Sequence, residues 1–180
     1  MSPFSRSAVL AVFALAACGG GSSSSGPDIK SFFPADNEVS GWTKDSAKPL
    51  QVGVGASGAT GLVDGAANPF IGQGLAQLAL GSYVDGVERL DLRVWQMNSA
   101  AAATSVYTAL LSDSLYSANS WGSCATSIGE ACRIAQTTGG NWWINVRKNA
   151  YHVEATVSPS PAATSAQAET FAQAVMAKIP

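Results

Sequence analysis

Apolar and polar positions along the chain follow two periods, and the switches between them predict most of the secondary structure. Residues 87–97 alternate, with Leu90, Leu92 and Val94 on one face and Arg89, Asp91 and Arg93 on the other, as in a half-buried strand; a bulge is expected near Trp95. Residues 142–147 and 151–157 alternate in the same way and are separated by Lys148-Asn149-Ala150. Asparagine tolerates the left-handed backbone of tight turns, so these two runs read as a β-hairpin. Residues 50–54 read as a shorter strand.

Elsewhere the spacing is helical. Ser99 is placed to cap an alanine-rich helix that reaches about residue 111 and turns Val106, Tyr107 and Leu110 inward. After Pro159 and Pro161, residues 165–179 bring Ala168, Phe171, Ala174, Val175 and Ile179 to one side. Residues 68–80 carry Phe70, Ile71, Leu75, Leu78 and Leu80 at intervals that also suit a helix. Strands joined by short turns and interrupted by isolated helices, without regular βαβ alternation, predict an α+β domain, an antiparallel sheet with helices packed on one face. No internal repeat is visible.

The first residues set a cellular address. Arg6 precedes an apolar run over residues 8–16, too short to span a bilayer, which takes about 20 apolar residues as a helix. The run leads into Leu15-Ala16-Ala17-Cys18, which resembles the bacterial lipobox, where diacylglycerol is attached to the cysteine before cleavage. The competing reading is an ordinary secretory peptide that happens to abut a cysteine. The expected organisation is a lipoprotein signal peptide over residues 1–17, lipid attachment (palmitate among the acyl chains) at Cys18, a Gly/Ser tether over 18–29 and a single domain over 30–180. The membrane, reached through the N-terminal lipid, is then the first partner, and the bacterial cell envelope is the location.

Composition narrows the function classes. Loss of Arg6 leaves nine Lys and Arg against twelve Asp and Glu, with no run of like charge, so a nucleic-acid partner is not expected. With Cys18 used by the anchor, Cys124 and Cys132 form an even pair in an oxidising compartment and read as a disulfide closing a short loop, worth roughly 2.5 kcal/mol in the chain-entropy model. A metal or redox pair would want Cys-x-x-Cys spacing or companion histidines, and His152 is the single histidine; no metal and no cofactor are expected.

Gly53-Val54-Gly55-Ala56-Ser57-Gly58 fits Gly-x-Gly-x-x-Gly, but the continuation Ala59-Thr60-Gly61 reads as loop where a dinucleotide site needs a helix. Gly55-Ala56-Ser57-Gly58-Ala59 falls one residue short of a nucleophile elbow. Ser57 with His152 and Asp64 is the one conceivable hydrolase set, and His152 otherwise reads as a surface histidine beside Glu154. Trp142 and Trp143, adjacent on a strand, must project to opposite faces. One of them lies under a helix or loop or is exposed to a partner, and the pair is the candidate binding surface; Trp42, Trp95 and Trp121 read as core anchors.

The turn Val63-Asp64-Gly65-Ala66-Ala67, the strand end Val94-Trp95-Gln96-Met97, the helix over 103–111 with Tyr107 and the hairpin Arg147-Lys148-Asn149-Ala150-Tyr151 together resemble a family of uncharacterised bacterial envelope lipoproteins that carry a domain of unknown function. The resemblance spans residues 32–179 and implies an α+β domain without supplying a catalytic residue. Asn68-Pro69-Phe70 departs from the acidic and aromatic residues expected there. The reading that results is a non-enzymatic binding or scaffolding module for an envelope protein, with a carrier of lipid or another apolar ligand, and an envelope serine hydrolase, as alternatives.

Overall fold

The computed structural model describes residues 27–159 and 163–180. Cys18, the expected signal peptide and most of the tether lie outside the described residues. The chain forms β1 (Thr43–Lys44), β2 (Gln51–Val54), α1 (Gly55–Val63), α2 (Asn68–Ile71), β3 (Leu75–Asp85), β4 (Glu88–Met97), α3 (Ala100–Ala109), α4 (Ser114–Ser117), β5 (Gly122–Ser123), β6 (Ala131–Gln136), β7 (Trp142–Lys148), β8 (Tyr151–Val157) and α5 (Ser165–Lys178), with 3-10 turns at Ile29–Phe32, Asp64–Ala67 and Leu110–Ser112. Ile29, counted above with the tether, is fully buried in the first 3-10 turn.

All strand pairs are antiparallel, in the order β1-β3-β4-β8-β7-β6-β5, and β2 joins β3 beside β1. The expected antiparallel α+β architecture is present, but its helices occupy both faces of the sheet. On one face α5 packs against Leu90, Leu92, Val94, Ile144, Val146, Val153, Ala155 and Val157. Phe171 anchors this layer, edge-on to Trp42 at 5.3 Å and tilted against Tyr83 at 4.9 Å. On the other face α1, α2, α3 and α4 cover Leu78, Trp95 and Met97, with Phe70 stacked on Trp95 at 3.7 Å.

The cause lies in the sequences of the strands. β4, β7 and β8 carry large side chains on both parities, so neither face of the central sheet can be left to water. The caps follow the same local logic. Ser99 accepts from the Ala102 amide to start α3, a reciprocal capping box of Thr164 and Gln167 starts α5, and Asn149 sits at φ 50° in the β7–β8 turn.

Two expectations fail in instructive ways. Residues 75–80 belong to a strand and not to a helix, because Ala76 is bulged between the pairs Leu75–Met97 and Gln77–Gln96. The extra residue puts Leu75 and Leu78 on one face of the sheet, three apart, which imitates helical spacing. The bulge expected near Trp95 is thus in the partner strand. The segment after Gly53 is a helix and not a loop. A Cβ at Gly53 would lie 2.4 Å from the Gly58 backbone, so these glycines let α1 fold back onto β2. β2 is antiparallel to β3, and no βαβ unit surrounds the motif.

Candidate functional site

The sheet face under α3 holds a polar row where an apolar layer would be expected. Arg133 of β6, Asn145 of β7, Glu154 of β8 and Arg93 of β4 are successive register partners, so their side chains line up across four strands. Two register pairs along, on the same face, His152 lies between Arg147 and Trp95. His152 and Asn145 are 0% exposed, Glu154 2% and Arg133 5%.

Glu154 is the best satisfied of the set. Its carboxylate accepts from Trp95 Nε1 at 2.9 Å and from the Tyr116 hydroxyl at 2.5 Å, and Arg93 Nη1 lies 3.7 Å away. Burial alone would raise its pKa, but the neighbouring His152, the Arg93 charge and the Tyr116 hydroxyl outweigh burial and hold the carboxyl below the ordinary carboxylate range. Tyr116 is correspondingly pushed above its ordinary range, by burial first and by the Glu154 charge next. Tyr116 comes from α4, so the carboxylate ties the helical cover to the sheet.

His152 donates from Nε2 to Asn145 Oδ1 at 2.9 Å, since an amide oxygen only accepts, which leaves Nδ1 as the unprotonated nitrogen. Its distance to Glu154 Oε1, 3.9 Å, is beyond a hydrogen bond. Burial pushes the imidazole pKa down against the pull of Glu154, so the ring is neutral. Phe70 and Tyr107 flank it at 5.3 and 6.0 Å. The surface histidine expected from strand alternation is therefore a core residue: the alternation gives the face, and α2 and α3 cover that face.

Arg133 is the least satisfied of the set, and among the described residues the His152 Nδ1 nitrogen also lacks a partner. Its guanidinium carbon lies 4.3 Å from the Tyr107 ring centroid and 5.1 Å from that of Trp121. Among the described residues no group accepts a hydrogen bond from its Nε, Nη1 or Nη2, nor from Asn145 Nδ2. Burial lowers its pKa, yet a guanidinium keeps its proton in any such setting. Nothing in the sequence reading singled out Arg133, Asn145, Tyr116 or the cage role of Trp121; the one available signal was a lone charge, Arg133, in the apolar run Ala131-Cys132-Arg133-Ile134-Ala135.

The residues singled out from the sequence fall in different places. Cys124 and Cys132 are joined, with Cα atoms 5.8 Å apart, and tie the β5 edge to the strand that carries Arg133. Trp142 and Trp143 do face opposite ways: half-buried Trp142 packs on the α5 side, and Trp143 packs on the α3 side against Tyr116 at 4.5 Å and Trp121 at 5.3 Å. Trp42 and Trp95 are buried, whereas Trp121 is only half-buried. Ser57 and Asp64 are exposed on and just after α1, away from the buried His152. Among the described residues there is no group of three or more potential metal ligands, and no helix long and apolar enough to cross a membrane.

Fold and site together define an antiparallel α+β module with an aromatic-caged buried arginine. No family model matches the chain, and no curated protein matches it in sequence. Among solved structures it is similar to the extracellular domain of PknH from Mycobacterium tuberculosis, at a TM-score of 0.53 and 10% identity over 83% of this chain and 93% of that one. This likeness shows a shared fold. An uncharacterized protein from Mycobacterium smegmatis aligns over 83% of this chain and 92% of its own, with a TM-score of 0.36 and 14% identity.

Proposed function

We propose that this chain is an envelope lipoprotein, anchored through Cys18, whose folded domain is a non-catalytic binding module working through the sheet face under α3 and α4. The observation that carries this reading is the polar row Arg133, Asn145, Glu154 and Arg93, its first three members buried and Arg93 partly exposed at its edge, beneath Tyr107, Tyr116, Trp121 and Trp143. Stability alone favours an apolar layer at such positions, since buried ionic groups are often neutral or costly against hydrophobic residues of similar volume. Of the two candidate surface residues, Trp143 flanks this face and Trp142 packs on the α5 side.

The hydrolase alternative has less support. The base it needs is buried, with Nε2 bonded to Asn145, while Ser57 is exposed on another element. The carrier of an apolar ligand rests on a pocket of about 230 Å³ bounded by Phe33, Leu50 and Tyr83, which is below the roughly 300–1,000 Å³ of ordinary small-molecule sites. Native mass spectrometry of the mature lipoprotein, gently extracted from its own envelope, tests the binding reading. The expected result is a recurrent bound mass or a stoichiometric protein partner that is lost in Trp143→Ala. A bare protein in every preparation would overturn it.

A further inference from the structure

We infer that Arg133 and Asn145 form an oxyanion site, taking the carboxylate or phosphate group of a ligand beneath Tyr107 and Trp121. The inference deepens the binding-module reading and rests on it. Arg133 is 5% exposed and Asn145 is 0%, and they are direct register partners on β6 and β7. Three guanidinium nitrogens and the Asn145 amide nitrogen are donors that no described residue accepts from. A site of donors only, with a fixed positive charge, is complementary to an oxyanion.

Charge points the same way. Arg93 and Arg133 are cationic, Glu154 is the single anion in the row, and His152 is neutral, so the row carries one uncompensated positive charge. Glu154 already accepts from Trp95 and Tyr116 and lies nearer Arg93. The two ring contacts attract the guanidinium but supply no hydrogen-bond acceptor. A buried donor left unmade carries its full desolvation cost, larger for a charged group, so the rings alone do not offset the burial of this guanidinium. An oxyanion accepting from its planar fork would supply both the missing charge and the missing acceptors.

Access to the site would come through the cover. Trp121 lies just before the two-residue strand β5, which pairs with β6 only at Ile134 and Arg133, and its Nε1 donates to the Tyr116 carbonyl at 2.8 Å. Displacing one half-buried indole would open the guanidinium without disturbing the central strands.

The test is a titration of the intact mature protein with benzoate, inorganic phosphate and, as the neutral control, benzamide, at constant ionic strength. Two signals are read: the melting temperature and the Arg133 Nε–H resonance. Saturable stabilisation by benzoate or phosphate, with a shifted Nε–H signal and no response to benzamide, is the expected result; whichever of the two ions saturates identifies a carboxylate or a phosphate group. Binding should weaken on the order of tenfold or more in Arg133→Met, as for loss of a charged hydrogen-bonding partner. The Nε–H signal is read on the unaltered protein, so the test survives a variant that fails to fold. If neither anion moves that signal while extracted protein still carries a mass lost in Trp143→Ala, the oxyanion site is wrong and the binding module stands. If the extracted protein is bare as well, both fall.

Discussion

The two faces of the sheet solve the same burial problem with different chemistry. Under α5 the layer is apolar, with aromatic residues locked edge-on around Phe171 and partners drawn from both ends of the chain. Under α3 the same strands present arginine, asparagine, glutamate and histidine, roofed by aromatic rings. Burying apolar area stabilises at about 25 cal/mol per Å², whereas burying charge stabilises only when every partner is in place. On the α3 face the partners of Glu154 are in place and those of Arg133 are not. Both faces hold the fold, but on the α3 face the unpartnered donors of Arg133 and Asn145 add nothing to that hold, and they are the groups the binding proposal uses.

The sharpest break in that contrast should come from the apolar side. Phe171→Ala removes a fully buried ring and should cost about 3–5 kcal/mol in urea unfolding. Glu154→Leu should come next: it strands the Trp95 indole N–H and the Tyr116 hydroxyl in the interior, for a loss of about 2–4 kcal/mol, and Tyr116→Phe should recover part of that loss in the double variant. Near-equal stabilities of Glu154→Leu and the unaltered protein would remove the carboxylate from the machinery that holds the cover.

A pH series sharpens the comparison at lower amplitude. The native state keeps His152 neutral and the unfolded chain titrates near the ordinary 6.5, so acid adds a proton preferentially to the unfolded state. Stability should be full above that value and fall below it by at most about 1.4 kcal/mol per pH unit. His152→Gln should flatten that decline. Glu154 acts in a separate window: its folded pKa lies below the ordinary 4.5, so the stability it gives is present above that value and is lost as pH falls below it.

Much of the α5 face was legible in the sequence, because single-period patterns report it directly: the alternation of 88–97, the hairpin turn at Asn149 and the inward stripe Ala168, Phe171, Val175 all reappear. The α3 face was less legible for three physical reasons. A bulge at Ala76 turned a strand's spacing into a helix's. Close glycine contacts at Gly53 and Gly58 allowed a helix in a segment whose composition suggests loop. The polar row is assembled from four strands whose members are up to 61 residues apart, Arg93 to Glu154, so no local pattern records it. Strand parity put His152 and Glu154 on one face, but only the tertiary cover decides whether that face is wet.

Equilibrium denaturation of Arg133→Met, without added anion, tests most directly whether Arg133 is kept for binding and not for the fold. Methionine keeps the apolar stem and removes the uncompensated buried charge, so the unfolding free energy is expected to equal or exceed that of the unaltered protein, by up to about 1–2 kcal/mol. A loss of more than about 2 kcal/mol would contradict this, and would make Arg133 a structural residue whose ring contacts, and not a ligand, account for its place in the sheet.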